Sequence, residues 1–280
     1  MLAFALGLGS SLCWGLADFF GGLQSRRHPV VAVMLVSQAA GLVAIAVLVA
    51  ALGQGAPGPN QMLPAALAGA AGAIALTAFY RALAIGTMSI VAPISATGAA
   101  LPVVVGVAGG ERPGTLQLAG MAAAVIGVVL ASREEDEEGR TPEKARLSVA
   151  LALFAALGFG TFFVAMDAAA DADVGWAMLV ARCASVGLVM LAVAVLRPRM
   201  GVGVTALAPL VAVGMLDAAA NGLYAWGSTE GLLSVVAVLG ALYPVTTVLL
   251  ARGLLRERVR RIQEVGIVAA LVGVALIAVG

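Results

Sequence analysis

The sequence predicts an all-α integral membrane protein of ten transmembrane helices, arranged as two inverted five-helix repeats. Three observations predict it. Hydrophobic residues fill 62% of the 280 positions and charged residues 11%, with a mean hydropathy of +1.06, far from the balance of a water-soluble domain. The chain divides into apolar stretches of about 20 residues, the length that crosses ~30 Å of hydrocarbon at ~1.5 Å per residue. One segment is written twice: ERPGTLQLAGMAAAVIG, from Glu111 to Gly127, returns as ERVRRIQEVGIVAALVG, from Glu257 to Gly273.

The stretches run 3–22, 31–52, 62–84, 89–109 and 115–132 in the first half, then 147–167, 175–196, 206–227, 233–252 and 262–279 in the second. Backbone groups in lipid must be satisfied within the segment, so these read as helices despite their many valines. Barrel strands would be half as long and would alternate. No basic residue precedes the first stretch and equally apolar segments follow it, so it reads as a retained span rather than a signal peptide. Pro93 and Pro102 in helix four, and Pro244 in helix nine, predict kinks whose freed carbonyls face protein or a cavity. Gly120 and Gly127 share one face of helix five, as Gly266 and Gly273 do in helix ten, which predicts close helix packing. Residues 133–146, REEDEEGRTPEKAR, form the long charged run and read as a solvated linker between units 1–132 and 147–280. Cys13 and Cys183 fall inside predicted helices and read as buried, inert thiols.

Five helices per unit is an odd number, so the second copy is expected to enter the membrane from the opposite face. Loop charges agree. Arg26 and Arg27 follow helix one, whereas the matching loop after helix six carries Asp167, Asp171 and Asp173. Lys and Arg number two after helix one, four in the linker, two after helix seven and five after helix nine, against Arg112 alone on the opposite side. The positive-inside rule then places the linker in the cytoplasm and both termini outside, in the cell membrane.

Charge within a span is the functional signal, because an ionisable side chain at mid-helix costs ~2.5–3.5 kcal/mol and faces a cavity or a partner. Arg182 and Asp217 lie at similar depths, about 10 and 15 Å from the outer face, compatible with an ion pair. Asn221 and Tyr224 continue a polar stripe from Asp217 at i+4 and i+7. Trp14, too deep for an interfacial anchor, joins Tyr80 and Gln38 as candidates for the first unit's side of a cavity. Gln38 is the counterpart of Arg182 in the first copy. Asp18 and Arg81 lie near the cytoplasmic ends of helices one and three and read as snorkelling residues, a structural pair or an inner gate. Glu111 and Glu257 open loops and are expected to cap helices or pair with the next Arg rather than touch substrate.

The repeated Glu-Arg, Gln-x-x-Gly and Gly, with Trp14-Gly15, Tyr80-x-Ala82-Leu83 with Gly86, and Arg182, resembles the drug/metabolite transporter superfamily, in its EamA-like ten-helix branch. The likeness covers nearly the whole chain, and the copies differ in places. FYRALAIG in the first half stands against LYAWGSTEG in the second, and Trp14-Gly15 against Phe159-Gly160. The resemblance implies a secondary transporter whose halves enclose a central cavity.

The expected function is export of a small polar or amphipathic metabolite by alternating access. Acid, base, amide and aromatic together suit a zwitterion such as an amino acid. Protons are a candidate coupling ion, taken up by Asp217 if substrate displaces Arg182. The alternative is proton-coupled efflux of lipophilic cations, which calls for an unpaired carboxylate deep in helix one; Asp18 reads as too shallow. His28, in a loop, is the single histidine, and the chain carries no metal-ligand cluster, Ser-His pairing or phosphate loop, so neither an enzyme nor a cofactor is expected. A net charge of +1 gives no reason to expect a nucleic-acid partner.

Overall fold

The computed structural model describes residues 1–53, 55–86, 88–131, 142–198, 200–255 and 261–279. Glu257, Arg258, Arg199, Arg256, Arg260 and residues 133–141 of the expected linker lie outside the described residues. The described chain is all helical, and contains no strand. In order it forms α1 (Leu2–Ser25), α2 (Val30–Leu52), α3 (Pro59–Ile85), α4 (Met88–Ala96), a 3-10 turn (Thr97–Ala99), α5 (Ala100–Ala108) and α6 (Thr115–Ala131). The second half forms α7 (Pro142–Ala170), α8 (Val174–Leu196), α9 (Val204–Glu230), α10 (Leu233–Gly240), α11 (Tyr243–Leu255) and α12 (Arg261–Val279). Six of these, α1, α2, α3, α7, α8 and α9, are long and apolar enough to cross a membrane, and shorter apolar helical stretches include Ile94–Ala108, Thr115–Gly127 and Leu233–Thr247.

Two expected spans are interrupted midway, where the prolines predict kinks. Helix four becomes α4, the 3-10 turn and α5; helix nine becomes α10, a turn at Ala241 and Leu242, and α11. The prolines explain where the chain restarts. Pro102 and Pro244 lie in the first turns of α5 and α11, where an N–H has no partner four residues back and its loss costs nothing. Both breaks carry one local pattern, Gly98-Ala99-x-x-Pro102-Val103 and Gly240-Ala241-x-x-Pro244-Val245. A further correction concerns the linker: α7 starts at Pro142, so the residues from there to Arg146 are helix, not loop.

Glycines set how closely the halves approach, and the close approaches come in equivalent pairs. A methyl group on Gly69 of α3 would overlap the Ala181 carbonyl of α8, and one on Gly214 of α9 would overlap the Ser37 carbonyl of α2. Gly15 of α1 likewise abuts the Tyr243 carbonyl, and Gly160 of α7 abuts the Gly98 carbonyl. Helices α6 and α12 make the most extensive pairing. There Gly120 faces Gly273 and Ile277, while Gly273 faces Gly120 and Ala124, the register of an antiparallel pair. Backbone contact of this kind is how membrane helices associate where apolar burial gives no net drive.

The loops form two groups. On one side Arg26 Nε donates to the Leu83 carbonyl at 3.4 Å and His28 Nδ1 lies 3.4 Å from the Gly201 carbonyl. On the other, a turn through Gly109 and Gly110, whose φ of 104° favours glycine, delivers Glu111 to the start of α10. Its carboxylate accepts from the Leu233 N–H at 2.6 Å and the Ser234 N–H at 3.2 Å, over a space left open by Gly106. All eight residues of α10 are buried, so its first N–H groups have no water to turn to and the carboxylate also meets the positive end of the helix dipole. Glu111 therefore does cap a helix, though one in the other half. Gln117 caps its own, accepting from the Gly114 N–H at 2.9 Å. Glu111→Ala is expected to lower stability by roughly 1–2 kcal/mol, and Glu111→Gln by less, measured as the unfolding midpoint of the purified protein.

Candidate functional site

The polar centre forms where α2, α8 and α9 meet. Gly214 and Gly41 let α9 and α2 approach closely, and Gly41 also leaves room for the Arg182 guanidinium, which passes 3.3 Å from where a methyl group would stand. Arg182 Nη2 lies 2.6 Å from Asp217 Oδ2, and Arg182 Nη1 donates to Gln38 Oε1. The same Gln38 oxygen accepts from Ser185 Oγ at 2.9 Å, while Gln38 Nε2 and Asn221 Nδ2 each donate to Asp217 Oδ2 at 3.4 Å. Gln38, Arg182, Ser185 and Asp217 are all buried. Low surrounding polarity strengthens such a charged hydrogen-bond network, and equally makes any unpaired member costly.

This network forms one wall of a cavity of about 70 Å³. Other lining residues are apolar or small: Ala68, Gly69, Gly72, Ala73 and Leu76 of α3, Phe159, Phe162, Phe163 and Met166 of α7, and Met178 and Ala181 of α8. Trp14 and Asp18 of α1 and Tyr243 of α11 complete it. The aromatic residues lock one another. Trp14 lies 5.5 Å from Phe163 and 5.7 Å from Tyr224, centroid to centroid, and Phe163 lies 4.8 Å from Tyr224. Rigid rings beside a charged network offer a small molecule both polar and flat apolar contacts, and since about 70 Å³ is roughly half the cavity that encloses one benzene ring, a substrate of amino-acid size enters only as the helices part.

Of the residues singled out from sequence, Trp14, Asp18, Gln38, Arg182, Asp217 and Asn221 line the cavity together. Tyr80, Tyr224 and Arg81 do not. Tyr224 is fully buried behind the wall, its hydroxyl donating to the Phe163 carbonyl at 3.2 Å. It shares a helix face with Asp217 about 10 Å further along α9, and its ring backs the lining residues Trp14, Phe162 and Phe163. Tyr80 is packed with its hydroxyl over Gly21 of α1. Arg81 is exposed and makes no ion pair among the described residues, so the Asp18–Arg81 pair considered above is not formed. Asp18 is 6% exposed, and α1 continues past it to Ser25, about 10 Å further, so it is neither shallow nor snorkelling.

Sequence reasoning passed over Ser185, the α7 aromatics and Tyr243. Two had a signal: Ser185 falls at i+3 from Arg182, and Phe159, Phe162 and Phe163 fall at i, i+3 and i+4, each one helical face. Tyr243 had none, since its position depends on the break before α11. Cys183, expected buried, is exposed on α8, and Cys13 is partly buried.

Comparison with known proteins adds the family. The model of the EamA-like transporter family matches residues 1–133 and again 146–279. No curated protein matches the chain by sequence. A solved structure, titled only as a crystal structure of a protein, superposes with a TM-score of 0.78 at 17% identity, covering 98% of this chain and 95% of its own. At that identity the likeness concerns the fold.

Proposed function

The chain belongs to the EamA-like transporter family, and on the premise that it is a membrane transporter of the drug/metabolite superfamily we propose that it exports a small, amino-acid-like metabolite by alternating access. The observation that carries the proposal is the Arg182–Asp217 pair, held by Gln38, Ser185 and Asn221 against an aromatic-walled cavity. A substrate carboxylate arriving at Arg182 competes with Asp217 for the guanidinium, and the released Asp217 is then free to take up a proton as the coupling ion. Ten spans in two inverted halves provide the moving parts. The antiparallel α6–α12 pair and the equivalent glycine contacts support that arrangement. The grouping of Arg26 and His28 with the Gly201 loop supports a cytoplasmic face there, and hence outer termini. The cavity is lined by charged and amide groups of α2, α8 and α9 together with apolar residues of α3 and α7, as an amphipathic substrate requires.

Counterflow in proteoliposomes loaded with pooled amino acids, nucleosides, organic acids or organic cations tests the proposal. Exchange of the amino-acid pool is the expected result, lost in Arg182→Ala. Exchange confined to organic cations would replace this reading with lipophilic-cation efflux, a second reading favoured by the absence of any ion-pair partner for Asp18 among the described residues.

A further inference from the structure

Charges on the cavity wall come from three residues, Asp18, Arg182 and Asp217. Arg182 and Asp217 cancel each other at 2.6 Å. Asp18 makes no hydrogen bond and no ion pair among the described residues, yet it is 6% exposed and lines the cavity. The nearby Tyr243 hydroxyl donates instead to the Ala92 carbonyl at 3.2 Å. The wall thus carries one carboxyl group with no protein partner for its charge. Its position has no equivalent in the other half, where Phe163 stands. A buried carboxylate without a partner is costly, and such residues in membranes mark the place of a cation that comes and goes.

Geometry specifies the cation further. Trp14 precedes Asp18 by one helical turn, and both line the cavity, so an indole and a carboxylate stand one above the other on the same face of α1. A protonated amine between them would gain a charged hydrogen bond and a cation–π contact together. We propose that Asp18 is the counter-ion for a protonated amine on the substrate, so that the cavity accepts amines and zwitterions and rejects anions. The proposal deepens the transport reading and rests on it only in taking this cavity as the substrate's place. With a zwitterion bound, Asp18 holds the ammonium and Arg182 the carboxylate.

Three probes of one shape separate the charges: 2-phenylethylamine, phenylalanine and 3-phenylpropionate, titrated into the purified protein by tryptophan fluorescence and thermal shift. Phenylethylamine and phenylalanine are expected to bind about tenfold or more tightly than phenylpropionate, the factor that a hydrogen bond to a charged group supplies. Asp18→Asn should erase the preference, and Asp18→Glu, which keeps the charge, should retain it even where Asp18→Asn folds poorly. Equal binding of amine and acid, an unchanged preference in Asp18→Asn, loss of preference in Asp18→Glu, or no saturable binding by the amine would each overturn the proposal. Counterflow separates this from failure of the transport reading. Exchange of organic acids alone leaves a transporter and removes the role of Asp18; Asp18-dependent amine binding without exchange of any pool does the reverse.

Discussion

Arg182→Met is expected to abolish exchange and to destabilise the protein by roughly 3–5 kcal/mol, while Arg182→Met combined with Asp217→Leu recovers most of the stability and none of the exchange. The asymmetry follows from what each change leaves behind. Removing Arg182 alone strands the buried Asp217 carboxylate on two 3.4 Å donors, Gln38 Nε2 and Asn221 Nδ2. Removing both charges leaves only neutral groups to be satisfied, and buried ion pairs replaced whole by apolar residues are commonly neutral or better. Thermal unfolding in detergent gives the stability arm, and counterflow gives the functional one. If the double variant is no more stable than Arg182→Met, the pair is not what the α2–α8–α9 junction depends on. If Arg182→Met still exchanges substrate at the native rate, the guanidinium has no part in transport.

That pair was legible before any coordinates because the membrane leaves so few explanations for a charge at mid-helix. Arg182 and Asp217 are deep in their spans, similar in depth, and opposite in sign; their meeting followed. Helices were legible for a related reason, since lipid forces each long apolar run to satisfy its own backbone. The two interruptions were legible only in part: Pro102 and Pro244 placed a kink in helices four and nine, but an apolar run looks the same on either side of Thr97–Ala99 or Ala241–Leu242. Only the shared Gly-Ala-x-x-Pro-Val marks them. What hid the role of Glu111 is separation along the chain: the free N–H groups it caps are those of Leu233 and Ser234, at the expected start of helix nine in the other half.

Asp18 was misjudged through its depth and its rotation. Ending helix one at 22 rather than Ser25 made the residue look close to the headgroups. Periodicity in so apolar a helix does not say which face meets a cavity, because there is no polar face to contrast with. Tyr224 shows the opposite error: it shares the stripe with Asp217 and Asn221, but its ring is covered by Trp14, Phe162 and Phe163 and backs the wall instead of lining it. What the repeated motif encodes is now physical. Glu111 caps α10, Gln117 caps α6, and Gly120 admits α12, all three of them devices of assembly rather than of substrate choice.

Gly214→Ala is expected to cost as much function as loss of the ion pair, although it adds one methyl group and removes no polar atom. The methyl group would overlap the Ser37 carbonyl, and a backbone oxygen in a helix cannot rotate away as the end of a side chain can. Either α9 and α2 separate or the helix bends, and overpacking of this kind costs roughly 1–3 kcal/mol. The functional loss is larger because the contact sits next to Gln38 on α2 and one turn from Asp217 on α9, so separating the helices stretches a hydrogen bond that is already 3.4 Å long. Gly69→Ala, against the Ala181 carbonyl beside Arg182, should behave as its counterpart. Gly187→Ala is the control: it lies within α8 with nothing inside 4 Å, and should be neutral or stabilise the helix by up to about 1 kcal/mol. Expression, unfolding midpoint and amine binding of the three variants decide the matter. A native-like Gly214→Ala would mean that the halves meet with slack at this contact, and that the closeness of α2 and α9 is not what brings Gln38 to Asp217.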